Sequence, residues 1–268
     1  MHEQNELYAS KIFFNAALPL LKVIATDVPS LKAKFDKLTT VLQVSALDPE
    51  AEGGKYATHF IITEGEWETK LNAAHEAPDV ELEFKTIEAM NAFFKGKIGP
   101  KTLPKMKGVV KNFSAFTAML LTLLKLSDLT GATQPPKDEE TKTLMVKCFF
   151  YLLSSGISQL NKMGHTEIKD WTSKSPDRVY AFAVDGHPEV SAFIRIKAGK
   201  SRAGRGEYKR AMPFFTLRFN NLDSALGILL SIDDMLEATK AGRLIMDGGP
   251  EFGAQLGGFM LEVGGLAK

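Results

Sequence analysis

Metal, nucleophile and phosphate chemistry each leave a spacing signature, and none of the three is complete in this chain. Five histidines are present, His2, His59, His75, His165 and His187, and no two stand three or four residues apart. No His-Glu-x-x-His pattern occurs, so a metal centre is not expected. His59 falls in a strand position and is expected to be a hydrogen-bonded sheet residue. The one cysteine, Cys148, sits in the apolar run KCFFYLL, which excludes an internal disulfide framework. A reactive thiol wants partial exposure and a nearby positive charge, so Cys148 is expected to be a buried small hydrophobe. No Gly-x-Ser-x-Gly elbow is present. Ala198 to Ser201 (AGKS) imitate the end of a phosphate loop, but Ile194 stands where its first glycine is required. Asp233-Asp234 and Asp138-Glu139-Glu140 read as a helix start and linker charge rather than an acid–base pair. No feature supports an enzyme, and no cofactor is expected.

Two features survive that survey. Residues 197–210 hold six Lys/Arg against Glu207 alone. They form either a solvated hairpin loop or a docking site for anionic headgroups or acyl-CoA phosphates, with Lys200, Arg202 and Arg205 in contact. The second feature is 10 Met and 18 Phe, side chains that suit a packed core and also an adaptable apolar binding surface.

Bulk composition narrows the partners. Lys+Arg is 33 and Asp+Glu 32, a net charge of +1 that supplies no field to gather nucleic acid. Hydrophobic residues at 44% and charged residues at 24% are ordinary for a soluble globular protein. The most apolar stretch, Phe113 to Leu126, is broken by Ser114, Thr117, Thr122 and Lys125 and falls short of the roughly 20 residues of a membrane span. The polar, acidic start MHEQNE lacks the marks of a leader, and the single cysteine fits a reducing compartment. A soluble, cytoplasmic protein is expected.

The elements that must position these residues occur twice. Apolar helices are expected over Leu7 to Ile24 and Leu144 to Leu160. Strand signals follow at TTVLQVSAL and RVYAFAV, then at ATHFIIT and VSAFIRIK, which run into turns at Gly65 and Gly199. Val80, Leu82 and Phe84 alternate with Glu81 and Glu83, and Phe215, Leu217 and Phe219 with Thr216 and Arg218. One face of that sheet is expected to be buried and the other wet. Helices over Ile87 to Phe94 and Leu222 to Leu230 lead to short strands at KMKGVVKN and RLIMDGG. Closing helices carry a stripe of Phe113, Phe116, Met119, Leu120, Leu123 and Leu124, and one of Phe252, Leu256, Phe259, Met260 and Val263. The fold class is α+β, an antiparallel-rich sheet of about five strands covered by helices, present twice.

The chain also resembles itself at an offset of 134 to 136. KIFFNAALPLL matches KCFFYLLSSGI, THFIITEGE lies over AFIRIKAGK, and VELEFKTIEAMNAFF over FTLRFNNLDSALGIL. The intervening TGATQPPKDEE has the composition of a linker. The expected organisation is a first domain at 1–129, a linker at 130–140 and a second domain at 141–268. The apolar opening helices suggest a pseudo-dimer of the two.

Four segments in this order, FIITEGEWETK, PDVELEF, FFKGK and KMKGVVKN, resemble the sterol carrier protein-2 family of non-specific lipid-transfer domains. The resemblance covers about Lys11 to Leu129. The second copy keeps FIRIKAG, FFTLRF and the helix after it; Phe214 stands at the family's aspartate, and GGPEFG replaces the ordinary strand ending. The resemblance implies an apolar tunnel between sheet and helices holding a sterol, fatty acid or acyl chain. Carried onto this chain, it places the wall on Phe60, Ile62, Leu82, Phe84, Phe93, Met106, Phe116, Met119, Leu120 and Leu123. The second copy would add Ile194, Leu217, Phe219, Leu229, Phe252, Phe259 and Met260. Peroxisomal members end in a Ser-Lys-Leu type of tripeptide; this chain ends Leu-Ala-Lys, which fits the cytoplasm. The expected partners are a hydrophobic small molecule and, transiently, an anionic membrane, without nucleic acid or metal. Two other functions fit the same residues: a structural module with filled cores, and an accessory subunit presenting an acyl ligand to an enzyme.

Overall fold

The computed structural model describes residues 3–267, so His2 and Lys268 lie outside the described residues. The chain divides into two compact units, the first ending at Asp128 and the second running from Leu129 to Leu266.

The first unit opens with α1 (Gln4–Ile12) and α2 (Leu20–Asp27), joined by a single π-helical turn at Phe13–Ala17. Where the periodicity predicts one helix, Pro19 explains the interruption. Its ring removes a donor and crowds the carbonyl a turn earlier, so Leu18 bonds back five residues to Phe13 at 2.8 Å. After α3 (Pro29–Phe35) the chain forms β1 (Thr39–Leu47), β2 (Lys55–Thr63), β3 (Glu66–Lys70) and β4 (Val80–Phe84). Then follow α4 (Ile87–Phe94), the short β5 (Lys105–Lys107) and α5 (Phe113–Thr130). The five strands lie in the order β3-β2-β1-β4-β5, with β1 and β4 parallel and the other pairs antiparallel.

The second unit repeats this plan. The helices α6 (Glu139–Lys162) and α7 (Thr166–Lys174) precede β6 (Arg178–Val184), β7 (Ala192–Lys197), β8 (Lys200–Arg205) and β9 (Phe215–Phe219). It closes with α8 (Leu222–Leu229), α9 (Met235–Lys240), β10 (Leu244–Asp247) and α10 (Pro250–Ala267). Its strand order, β8-β7-β6-β9-β10, is that of the first sheet, and again only the central pair, β6 and β9, is parallel. The expected α+β architecture is therefore present in both halves. Asp138 and Asp234 cap α6 and α9, accepting from Thr141 and from Leu236 and Glu237, so both acid runs serve as helix starts. The sequence did not reveal α3 or α7, each of nine residues or fewer, and signalled α9 only by the acid pair at its start.

Each sheet buries the side expected from its alternation. In the first, Leu42, Val44, Phe60, Ile62, Val80, Leu82 and Phe84 share the inner face and are buried. The Thr58 hydroxyl on that face donates to the Phe14 carbonyl at 2.9 Å, and the Lys22 ammonium to the Trp67 carbonyl at 2.8 Å, so the opening helices cross β2 and β3. In the second, Phe150 of α6 stacks on Phe219 at 6.0 Å and lies 5.5 Å from Phe182.

The outer face of the first sheet departs from expectation. It is not uniformly wet: Gln43, Ser45 and Glu81 are buried on it, and Glu81 is only 2% exposed. The segment after β3 crosses this face, with the Ala73 amide bonded to the Ala57 carbonyl at 3.1 Å and the His75 amide to Gln43 Oε1 at 2.7 Å.

The motif segments PDV and MKG meet at one joint. Asp79 Oδ2 accepts from the Val41 amide at 2.7 Å, and its carbonyl accepts from Asn112 Nδ2 at 2.8 Å. Gly108 (φ 75°) passes so close that a Cβ there would lie 1.8 Å from the Asp79 carbonyl oxygen. Gly108→Ala is therefore expected to cost more than about 2 kcal/mol in chemical denaturation. Gly96→Ala has a similar φ of 78° but open space around the added atom, and should cost only about 1 kcal/mol. Equal losses for the two would refute the steric account.

Candidate functional site

The residues proposed for the first apolar wall are brought together by strand register. Phe60, Ile62, Leu82, Phe84 and Met106 share the inner face across β2, β4 and β5, with Leu82 and Met106 directly paired. Phe93 of α4 is half-buried and lies 5.4 Å from Phe84. The face is dense at its centre and open at the β5 edge. Leu82 is 6% exposed, whereas its cross-strand partner Met106 is 59% exposed. Met119 and Leu123 of α5 are buried, Phe116 is half-buried and Leu120 is exposed.

The apolar stripe of α5 is rotated from the one expected. Ala115, Ala118, Met119, Thr122, Leu123, Leu126 and Leu129 form the buried side, while Phe113, Leu120 and Leu124 of the expected stripe are exposed. With large hydrophobes on most of its circumference, the helix has no single stripe for periodicity to select. Among the described residues, three helical stretches are long and apolar enough by length and composition to cross a membrane, where none was expected to be. Two of them, Gln4–Asp27 and Glu139–Lys162, are mostly buried in the protein, and the third, Phe113–Thr130, is mostly exposed.

In the second unit the corresponding edge is more covered, with Met246 half-buried. Met246 of β10 pairs with Leu217, as Met106 pairs with Leu82, but α10 packs against it. A Cβ on Gly253 would lie 2.4 Å from Met246 Sδ, and one on Gly156 of α6 would lie 2.5 Å from Val263 of α10. Helix-to-neighbour approach this close is available only without a side chain, and α5 contains no glycine. Ile194, Leu217 and Phe219 lie in the buried inner face, Phe259 and Met260 are buried on α10, and Leu229 and Phe252 are half-buried.

A cleft of about 410 Å³ opens in this unit between α7 and α10. Its rim is polar, with His165 Nε2 3.5 Å from Glu262 and with Glu167, Asp170 and Gln255 around it; its apolar lining includes Trp171 and Phe259. Behind Trp171, at 5.0 Å between rings, stands Tyr180, whose buried hydroxyl has no hydrogen-bond partner. Of the proposed wall only Phe259 lines the cleft. Sequence reasoning missed it because α7 itself was unforeseen.

The basic run does not form one loop or one patch. Lys200, Arg202 and Arg205 are on the edge strand β8, because residues 197–200 turn tightly through Ala198 and Gly199 (φ 50° and 72°). Lys200 and Arg202 are exposed on one face, paired in register with Lys197 and Arg195. Arg205 lies on the opposite face, its guanidinium 5.0 Å from the centre of the Tyr151 ring. Alternation on a strand separates what a flexible loop could have gathered.

The most densely connected polar cluster was not anticipated. Glu81 Oε1 accepts from Gln43 Nε2 and Ser45 Oγ at 2.7 Å and from Lys55 Nζ at 3.0 Å; Oε2 accepts from Lys107 Nζ at 2.9 Å. Lys107 also binds Glu83. The only sequence signal was the matched two-residue spacing of Glu81/Glu83 and Lys105/Lys107, which antiparallel register turns into facing pairs. His59 stands beside this cluster, with Nδ1 2.7 Å from the Ala73 carbonyl, as the bonded sheet histidine expected. Cys148 is buried, also as expected.

No family model matches the chain, and no curated protein matches it. Solved structures with similar folds include the conserved hypothetical protein TT1886 of Thermus thermophilus, described as possibly a sterol carrier protein. It is 18% identical over 45% of this chain and 90% of its own, with a TM-score of 0.31. A UbiJ-SCP2 ubiquinone synthesis protein is 18% identical over 44% of this chain and 96% of its own, with a TM-score of 0.28. Sterol carrier protein 2 is 18% identical over 41% and 92%, with a TM-score of 0.27.

Burial pushes the Glu81 carboxyl up, but donation from Ser45, Lys107, Gln43 and Lys55 outweighs it and holds the group at about 2, below its ordinary 4.5. A depressed carboxylate contributes stability that is fully present above its unfolded value and is lost as pH falls through its folded one. Stability is therefore expected to fall from about pH 4.5 towards about pH 2. Glu81→Gln leaves Lys55 and Lys107 to share the one carboxylate of Glu83; it should cost about 2 kcal/mol at neutral pH and flatten that acid limb. Denaturation midpoints measured across the pH range check both, and an unchanged acid limb in the variant would assign the loss to other groups.

Proposed function

We propose that this chain is a non-catalytic, cytoplasmic binding protein for a hydrophobic ligand, a sterol, fatty acid or acyl chain, held by the first unit at its open β5 edge. The two units are read as copies of one domain, in keeping with their common strand order and with the segments that resemble the sterol carrier protein-2 family. The observation that carries the proposal is the contrast between Leu82 and Met106. They are neighbours on one apolar face, yet one is buried and the other left 59% exposed. An acyl chain laid between Met106, Phe93 and Phe116 would extend the buried face outward. Removing apolar surface from water is worth about 25 cal/mol per Å², so the binding needs no catalytic group. Methionine suits such a wall because its unbranched, polarisable side chain adapts to ligands of different shape.

The second unit supports a different role. Its equivalent methionine is half-buried against α10 at Gly253, which favours the filled-core, structural reading for that half. The pair then consists of one binding unit and one scaffold.

Organic extraction of the purified protein, followed by mass spectrometry, is expected to recover a bound lipid. Met106→Asp changes an exposed side chain, so the melting temperature should hold. Binding of a fluorescent fatty acid in solution should fall at least about tenfold, because a carboxylate cannot enter an apolar contact unpaired. Undiminished binding by the folded variant would remove Met106 and the β5 edge from the site.

A further inference from the structure

The strap from the end of α4 to the start of α5 combines basic charge without acid and exposed apolar side chains. Between Glu88 and Asp128 there is no acidic residue, and residues 95–111 contain six lysines. Lys107 is engaged by Glu81 and Glu83; Lys95, Lys97, Lys101, Lys105 and Lys111 are exposed and, among the described residues, hold no ion pair. Set between them are large apolar side chains that point into water: Ile98 at 67% exposure, Leu103, Met106, Val110 at 95% and Phe113 at 67%.

The two loops that flank β5, which carry Lys95, Lys97, Lys101 and Lys111 with Ile98, Leu103, Val110 and Phe113, form one surface; Lys105 lies on the outer face of the sheet, opposite in sense to Met106. β5 has three residues, about 10 Å at the usual rise, so the loops at its two ends are close neighbours. Both loops are braced. The Thr102 hydroxyl donates to the Lys97 carbonyl at 2.7 Å, and Asn112 bonds the Asp79 carbonyl at 2.8 Å. The apolar side chains are thus held outward by ordered backbone at little further entropic cost on binding. β5 is also an edge strand, where exposed lysines discourage pairing with another chain.

We propose that the surface formed by residues 95–113 docks on an anionic lipid bilayer, the lysines meeting headgroup phosphates while Ile98, Val110 and Phe113 enter the interface. Charge complementarity selects this occupant: four uncompensated loop lysines, Lys95, Lys97, Lys101 and Lys111, need a dense negative surface, and single apolar residues spaced between them match the boundary of headgroup and acyl chain. An acidic protein would satisfy the lysines, but it would need a concave apolar complement to side chains set on separate loops. The proposal stands independently of the ligand site, and it moves the expected membrane contact from β8 of the second unit to the first.

Flotation of the full chain with vesicles of phosphatidylcholine containing about 30% phosphatidylglycerol tests it, against pure phosphatidylcholine, at low salt and at several times the ~0.1 M at which screening reaches 10 Å. Binding is expected to anionic vesicles only and to weaken with salt. Lys97→Glu/Lys101→Glu/Lys111→Glu should reduce it at least tenfold, and Val110→Asp several-fold, with melting temperatures unchanged because all four positions are exposed. Lys200→Glu/Arg202→Glu should leave it intact. Equal partitioning of wild type and the triple variant, no binding to anionic vesicles (as an acidic protein partner would give), or loss confined to the Lys200/Arg202 variant would each overturn the proposal. Fluorescent fatty-acid binding measured without vesicles on the same proteins reports the ligand site separately, so its failure leaves the vesicle result standing.

Discussion

A carboxylate removed from water in the middle of a sheet must be given donors from every direction, and Glu81 imposes that constraint on the first unit. Its two oxygens draw Gln43 and Ser45 from β1, Lys55 from β2 and Lys107 from β5, while Glu81 itself belongs to β4. Four of the five strands therefore converge on one group. A one-residue slip in any donor strand would turn its donor to the opposite face and remove part of the compensation, so the network favours one register as well as contributing stability. The inner face follows, because the register that brings Gln43 to Glu81 also sets Leu42 and Val44 against Val80 and Leu82.

The second unit solves the same topology without that group. Thr216 occupies the place of Glu81 in β9, and Ala181 and Ala183 face it from β6. The charge pair survives with its sense reversed. Arg218 of β9 reaches Asp247 of β10 at 2.8 Å and Asp185 at 2.9 Å, where the first unit has an acid on β4 and a base on β5. Phe214, in the place of Asp79, keeps the backbone bond to the central strand through its amide and the Val179 carbonyl at 2.9 Å. Its ring takes the Arg178 guanidinium at 3.7 Å instead of capping an amide. Backbone pairing is thus the same in the two halves while side-chain chemistry differs, as expected where topology depends on ladder hydrogen bonds and burial rather than on any one polar contact.

The two inner faces differ as well. Gly253 lets α10 approach Met246, which is half-buried; the glycine-free α5 offers no such approach, and Met106 is exposed. α5 also leaves Phe113, Leu120 and Leu124 exposed. The exposed apolar surface of the first unit is concentrated beside β5, next to the lysine-rich strap, where the proposed ligand edge and the proposed bilayer-docking surface adjoin.

Sequence alone determined the α+β class, the doubled order of elements and the identity of the inner-face residues. These rest on local periodicity and turn chemistry, which each segment carries in itself. Cys148 and His59 were legible for the same reason. Tertiary structure decided what lies opposite each element. It covered the outer face at Glu81, rotated the buried side of α5, set Arg205 apart from Lys200 and Arg202, and opened a cleft between α7 and α10. Each of these depends on which surface meets which, and periodicity reports only that a face is apolar, not what covers it.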